Sequence, residues 1–345
     1  MTKARIQYLQ RLFLLILLLA FSWGVVATPA TGEKKARVVY VNSYHHGYQW
    51  SDDIEKGLLK ALGVKRRADG TIDVSHSTVE LRIIRMDTKL NTSETYKQKA
   101  ALEAKGVIDQ WRPDAIVASD DNASKYLISP YYNNSAIPVV FCGINWDASV
   151  YGFPSQNVTG MIEVDPLQET IEILRKYARG DRVGFIGSDN ISNRKQLIYH
   201  ERVLGINYAD GKLVNDFNAW NQEYRRMQDS VDMLIWLNPI GISGWDSQKA
   251  MAYILANTKI PTGNTGDNTR HLALVGKVKI AEEQGWWAGK TVLRILAGTS
   301  PADIPVTRNQ KTRIYVNMRL ANRLGIKFPI DLIEKATFVE VRPAE

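Results

Sequence analysis

The chain has a single cysteine, Cys142, and only five histidines among 345 residues. One thiol cannot close an internal disulfide, and Cys142 lies too far from the amino terminus for lipid attachment after a leader. Its place behind the apolar "PVVF" makes it an inert core thiol rather than a nucleophile. His45 and His46 are adjacent and point to opposite sides of an extended chain. His76, His200 and His271 lie in unrelated segments, and no H-x-x-x-H or C-x-x-C spacing occurs. That excludes the usual metal-ligand patterns, so neither a metal nor a cofactor is expected. No G-x-S-x-G nucleophile elbow is present. A basic stripe with interleaved aromatics is also missing, and the short "KRR" at 65–67 reads as a solvated loop before Ala-Asp-Gly. Nucleic acid is not an expected partner.

Long apolar runs are scarce as well. The one such run, Leu12 to Ala27, is broken by Ser22 and Gly24 and follows Lys3, Arg5 and Arg11. It falls short of the ~20 residues a membrane span needs. Residues 1–27 therefore read as a cleaved secretory signal, with an uncleaved anchor as the alternative. The leader's three cations account for part of the formal net charge of +8, and the remaining charges are mixed in sign.

Behind the polar linker "TGEKKA", short β-rich runs alternate with longer helical patterns. "RVVYVN" (37–42) precedes a helix with Ile54, Leu58, Leu59 and Leu62 at helical spacing. "VELRIIRM" (79–86), "DAIVAS" (114–119) and "IPVVFCG" (137–143) complete a first series. A second contains "VGFIGS" (183–188), "KLVND" (212–216), "VDMLIWL" (231–237), "IPTGN" (260–264) and "LALVG" (272–276). Such alternation argues for parallel sheets covered by helices. The Gly/Pro-rich "DASVYGFPSQNVTG" parts the two series and reads as a crossing between two doubly wound lobes.

Ligands of such sheets lie beyond the carboxyl ends of the strands. There the sequence puts Ser43, Tyr44, His45 and Trp50 after the first strand. Asp120, Asp121 and Ser124 follow the third, and Asn145 the fourth. Ser188, Asp189, Asn238 and Asp267 follow strands of the second series. Polar and aromatic groups at strand ends with apolar interiors suit a cleft that closes on a small molecule. The opening "VNSYHHGYQW" is expected to contact ligand. Catalysis would need an orienting carboxylate beside one imidazole, and Asp52 and Asp53 fit better as first-turn acids of the next helix. Asp120 is placed to meet a ligand ammonium, whereas Asp121 could equally serve as a helix cap. "GNTGDNTR" (263–270) lacks the phosphate-loop spacing. Trp286 and Trp287 of "GWW" are expected in the core or between lobes.

"DRVGFIGSDN", "IPTGN", "GWWAGKTVLRILAGTSPADIP" and "YVNMRLANRLGIKFPIDLIEKA" together resemble the extracytoplasmic substrate-binding proteins of ABC transporters. The similarity is to the branch that binds aromatic amino acids. "NSYHHGYQWSDDIEKGL" is also similar to a variant of this domain used as the sensing part of membrane-bound kinases. The resemblance implies a type I periplasmic-binding-protein-like fold, with two doubly wound parallel-sheet lobes joined by a three-segment hinge. Lobe 1 would comprise 34–150 plus 282–310, and lobe 2 would comprise 151–281 plus 311–345. It also implies ligand contacts at Ser43, Tyr44, Asp120, Asp121, Asn145, Ser188, Asp189, Asn238 and Asp267. Many relatives have Asp where this chain has Asn238, so the charge of a ligand amine must be neutralised elsewhere. The implied function is not enzymatic: a monomeric, periplasmic or secreted protein delivers an amino-acid-like molecule to an ABC permease. A sensing module for a membrane kinase is the alternative, and a histidine-dependent enzyme a more distant one.

Overall fold

The computed structural model describes residues 34–339; the expected leader at 1–27 lies outside them. Strand β1 (Ala36–Asn42) is a β-branched run whose alternate side chains serve two cores. Val39 and Val41 face one apolar cluster with Ile116 and Phe141, while Val38 and Tyr40 face another with Val117 and Val140. A strand covered on both faces is what a parallel sheet requires. After helix α1 (Gln49–Leu62) and a small hairpin of β2 (Lys65–Arg66) and β3 (Ile72–Asp73) comes β4 (Val79–Arg85). Helix α2 (Glu94–Trp111), capped by Ser93, leads to β5 (Ala115–Ser119). A composite helix follows, with α3 (Asp120–Ala123), a π-helical turn (Ser124–Ile128) and α4 (Ser129–Tyr131). The first sheet is completed by β6 (Val139–Asn145) and β7 (Val158–Glu163).

The second lobe comprises α5 (Leu167–Arg175), β8 (Val183–Ser188), α6 (Ile191–Leu204), β9 (Asp210–Val214), α7 (Phe217–Ser230) and β10 (Met233–Trp236). Then come α8 (Ser247–Asn257), β11 (Thr262–Asn264) and β12 (Val275–Lys279). The chain returns to the first lobe through α9 (Ala281–Leu296) and β13 (Thr307–Arg308). It finishes in the second with β14 (Thr312–Val316), α10 (Met318–Leu324), α11 (Ile330–Ile333) and β15 (Ala336–Phe338). The sheet orders are β13-β7-β6-β5-β1-β4 and β15-β14-β12-β11-β10-β8-β9. Every pairing in them is parallel except β12 with β14. This is the two-lobed, doubly wound α/β architecture of the type I periplasmic-binding fold.

One expected boundary moves. The stretch from residue 151 is expected in the second lobe, yet it carries β7, which pairs with β6 and β13 in the first sheet. Its Gly160 allows the close pairing, because a Cβ there would stand 2.4 Å from the Phe141 ring. The first crossing therefore falls after Glu163. The second passes Ile280 and the third Asn309–Lys311, between β13 and β14. The crossings are sewn together. The Asn309 side chain accepts from Val164 N at 2.7 Å and donates to Val164 O at 3.1 Å, while Ile280 N donates to Lys311 O at 3.2 Å. The Glu283 carboxylate accepts from the backbone N–H groups of Gln310 and Lys311.

Helices α1 and α9 cross with their backbones almost touching. A Cβ on Gly57 would lie 2.0 Å from Glu282 O, and one on Gly285 1.7 Å from Ile54 O. The glycine of "GWW" is thus a packing requirement. Of its two tryptophans, Trp287 packs against the first-lobe core. Trp286 departs from expectation: it is 40 % exposed, with Lys290 and Lys311 over its ring. Among the described residues no helix is long and apolar enough to cross a membrane.

Candidate functional site

Both parallel sheets direct their carboxyl edges at the crossings, since β7 leaves the first lobe at Glu163 and β12 leaves the second at Lys279. The ligand-facing side of each lobe therefore looks onto the hinge.

On the first lobe the central group is Asp120. It is 2 % exposed and sits at φ 69, the left-handed region that few non-glycine residues occupy. Its Oδ1 accepts the Trp50 indole N–H at 3.0 Å; its Oδ2 has no hydrogen-bond partner. Burial, reinforced by the nearby Glu163 charge, pushes this carboxyl well above the ordinary range, against the pull of the Trp50 donor. Gly143, at φ 69, passes directly beneath: a Cβ there would meet Asp120 Oδ1 at 3.1 Å. Tyr44 lies alongside, 8 % exposed, and its phenol is raised by burial and then by the Asp120 charge. The Lys89 ammonium caps the Tyr44 ring at 4.8 Å and the Tyr48 ring at 5.3 Å.

Other expected contacts are taken by the scaffold. Ser43 is fully buried; its hydroxyl donates to Ser119 O at 2.6 Å and accepts from Ala123 N at 2.7 Å. It pins β1 to the start of α3, and its one donor is committed there. Ser124 is equally buried and its hydroxyl donates back to Asp120 O at 3.1 Å. Asp121 is not a helix cap. Its Oδ2 accepts from Asn145 Nδ2 at 2.7 Å and its Oδ1 from the Tyr151 hydroxyl at 2.7 Å. His45 is half-buried beside Tyr48, and its Nδ1 lacks a partner. His46 does have an orienting carboxylate, with Nδ1 3.2 Å from Asp52 Oδ1, but that pair lies out on the exposed turn. Cys142 is completely buried, and burial holds its thiol well above its usual value.

At the floor of the hinge lies an ionic cluster that the strand-end reading missed. Lys279 Nζ is 2.5 Å from Glu163 Oε1, contacts Asp165 Oδ1, and stands 6.0 Å from the Trp50 ring centroid. Asp165 also accepts from Gln196 Nε2 at 2.5 Å, and His200 Nε2 lies 3.8 Å away. Burial is the largest single effect and would raise Asp165, but the Lys279 charge and the contacts with His200 and Lys279 together outweigh it and hold the carboxyl below the ordinary range. Glu163 stays raised because burial exceeds what its share of Lys279 can offset. Their signal in the sequence was the end of β7 and of β12, visible only once those strands are placed.

The second lobe offers a different edge. Ser188 is fully buried, its Oγ unpartnered, and its N–H donates to Asn238 O at 3.1 Å. Asn193, which the sequence did not single out, ties the ends of β8 and β10 by donating to Ser188 O and Asn238 O, both at 2.8 Å. The Asn238 Oδ1 accepts from Ile240 N at 2.9 Å. Asp189 is held by Arg194 through two bonds of 2.7 and 2.8 Å. Asp267 is exposed and paired with Arg270. Arg313 is raised chiefly by its bond with the Tyr315 hydroxyl, and the charges of Asp267 and of Asp53 on α1 add to that.

One side chain of the first lobe also reaches into the core of the second. Trp146, at φ 67 after β6, belongs to the apolar cluster of the second lobe, stacked on Tyr199 at 5.7 Å and 6°.

No curated protein matches the sequence. Among solved structures, the ligand-free, open structure of a substrate binding protein with adhesive properties from Clostridium difficile is similar at a TM-score of 0.67 and 18% identity. It covers 89% of this chain and 100% of its own. An ABC domain from Streptococcus pneumonia in complex with L-Trp matches at 0.57 and 20% identity, and a conserved domain protein from Vibrio cholerae at 0.56 and 18%. Each covers 89% of this chain and 100% of its own. At these identities the likeness establishes the fold. The sequence itself matches the family model described as ABC transporter substrate binding protein over residues 78–340. With three quarters of its length inside that model, and with two lobes whose polar edges meet at a three-stranded hinge, the chain belongs to the ABC transporter substrate-binding protein family.

Proposed function

We propose that this protein is an extracytoplasmic binder whose lobes close on a small molecule, an aromatic or other amino acid, and deliver it to the permease of an ABC transporter. It acts in the periplasm or as a secreted monomer once its leader is removed, and no bond in the ligand is made or broken. The observation that carries this reading is Asp120: a buried carboxylate with one uncommitted oxygen, flanked by Trp50 and Tyr44. A ligand ammonium satisfies that oxygen, and an aromatic body covers the adjoining rings. This answers the loss of charge at Asn238, because the first lobe supplies the carboxylate. The L-Trp in the pneumococcal neighbour supports an aromatic amino acid. Closure then removes aromatic surface from water at ~25 cal/mol per Å², which biases an open–closed equilibrium that a membrane partner can read.

Native mass spectrometry of the purified protein, followed by a thermal-shift screen across the amino acids, tests the reading. A retained or stabilising amino acid supports it. A screen in which only sugars raise the melting temperature overturns it.

A further inference from the structure

Charge around the candidate site is unevenly divided. Asp120, Asp121 and Glu163 gather at the carboxyl edge of the first sheet, linked through Trp50, Asn145 and Lys279. The one buried cation there, Lys279, is shared between Glu163 and Asp165. Two of the other cations near the two edges are held by acids. Arg194 is bound to Asp189, Arg270 to Asp267, and Lys89 sits exposed over the rings of Tyr44 and Tyr48. Arg313 lies 3.5 Å from the Tyr315 hydroxyl with Asp267 and Asp53 acting on it. At the start of α6 the Asn190 side chain already accepts from Asn193 N at 2.8 Å. Lys89 and Arg313 are exposed and make no ion pair, so a ligand carboxylate meets no buried, uncommitted side-chain cation among these groups. A ligand ammonium meets Asp120 Oδ2, buried and unpartnered.

We infer that the cleft recognises its ligand by the positive group alone, so that it takes aralkyl amines for which a carboxylate is dispensable. The inference rests on the amino-acid reading above and narrows it. The carboxylate-rich edge is incomplete without a counter-charge, since like charges out of water need a partner to stay ionised. An aromatic ammonium supplies that charge to Asp120 and lays its ring beside Trp50 and Tyr44, with cation–π attraction adding to the ion pair. A zwitterion brings a second charge that must be desolvated with no buried cation to receive it.

Three probes of one shape separate the possibilities: tryptamine, L-tryptophan and indole-3-propionate, titrated calorimetrically into the purified protein at neutral pH. The expected result is that tryptamine binds at least as tightly as L-tryptophan, and indole-3-propionate roughly 100-fold more weakly. Asp120→Asn then weakens tryptamine by about 30-fold, the loss of one charge-assisted contact, with an unchanged circular dichroism spectrum. L-tryptophan binding more than about tenfold tighter than tryptamine overturns the inference while leaving the amino-acid reading intact. Binding of indole-3-propionate on a par with tryptamine overturns it as well. If none of the three binds, and tyramine and L-tyrosine also fail, the aromatic reading and the inference fall together.

Discussion

Asp120 shows how much a single side chain can be asked to carry. Its left-handed backbone suits Asn as well as Asp, so Asp120→Asn keeps the geometry and removes the charge. The folded-state carboxyl is raised above the ordinary range. The folded protein therefore holds that proton where the unfolded chain has lost it. The ligand-free protein is stabilised below the ordinary carboxylate range and loses that contribution as pH rises through the folded value. Asp120→Asn abolishes this slope. Its melting temperature at neutral pH should equal or exceed that of the parent by a few degrees, roughly 1 kcal/mol, when followed by circular dichroism without ligand. A drop of several degrees would make Asp120 a structural residue. Conversely, Ser43→Ala should cost about 1–3 kcal/mol in a denaturant titration, because it strands the Ala123 N–H inside the fold. The sequence marked both residues by their place after a strand. It could not separate them, because the difference lies in bonds made to Ser119 and Ala123, far along the chain.

Among the elements, the crossing of α1 and α9 is the most exacting. Its helical periods are plain in the sequence, from Ile54, Leu58 and Leu62 on one helix to Val292 and Ile295 on the other. That the two touch, and that Gly57 and Gly285 permit it, needs three dimensions. Gly285→Ala should destabilise the protein by ~3 kcal/mol or more, since the new methyl collides with the Ile54 carbonyl and neither backbone can retreat. Chemical unfolding measures it, and a change under 1 kcal/mol would mean the helices can part. Strand β7 was hidden for the opposite reason. Its "VTGMIE" is short, interrupted by Gly160 and preceded by turn residues, so its periodic signal is weak. With it went Glu163, and so the whole hinge cluster. The central strands β1, β5 and β6 were legible because burial on both faces makes them continuous apolar runs, whereas the two-residue β2, β3 and β13 carry no periodic signal.

For the molecule as a whole, the hinge ions hold the two lobes in one electrostatic system. Asp165 sits below the ordinary carboxylate range, so its contribution is present above that range and lost as pH falls through its folded value, in strong acid. Lys279→Met removes the shared cation and leaves Glu163 and Asp165 buried without it. Stability at neutral pH should fall by about 3–5 kcal/mol. The loss should shrink as the medium is acidified and the orphaned carboxylates take up protons. Melting curves across mildly acidic to neutral pH decide this, and a pH-independent deficit would count against it. Ligand-induced closure should also lower the radius of gyration in X-ray scattering, and Asp120→Asn should abolish that change at the same ligand concentration.

Trp146 constrains how such a movement proceeds. Its backbone follows the end of β6 while its indole lies against Tyr199 and His200 in the apolar cluster of the opposite half. Any swing must leave that ring nearly stationary, which draws the axis of rotation toward it.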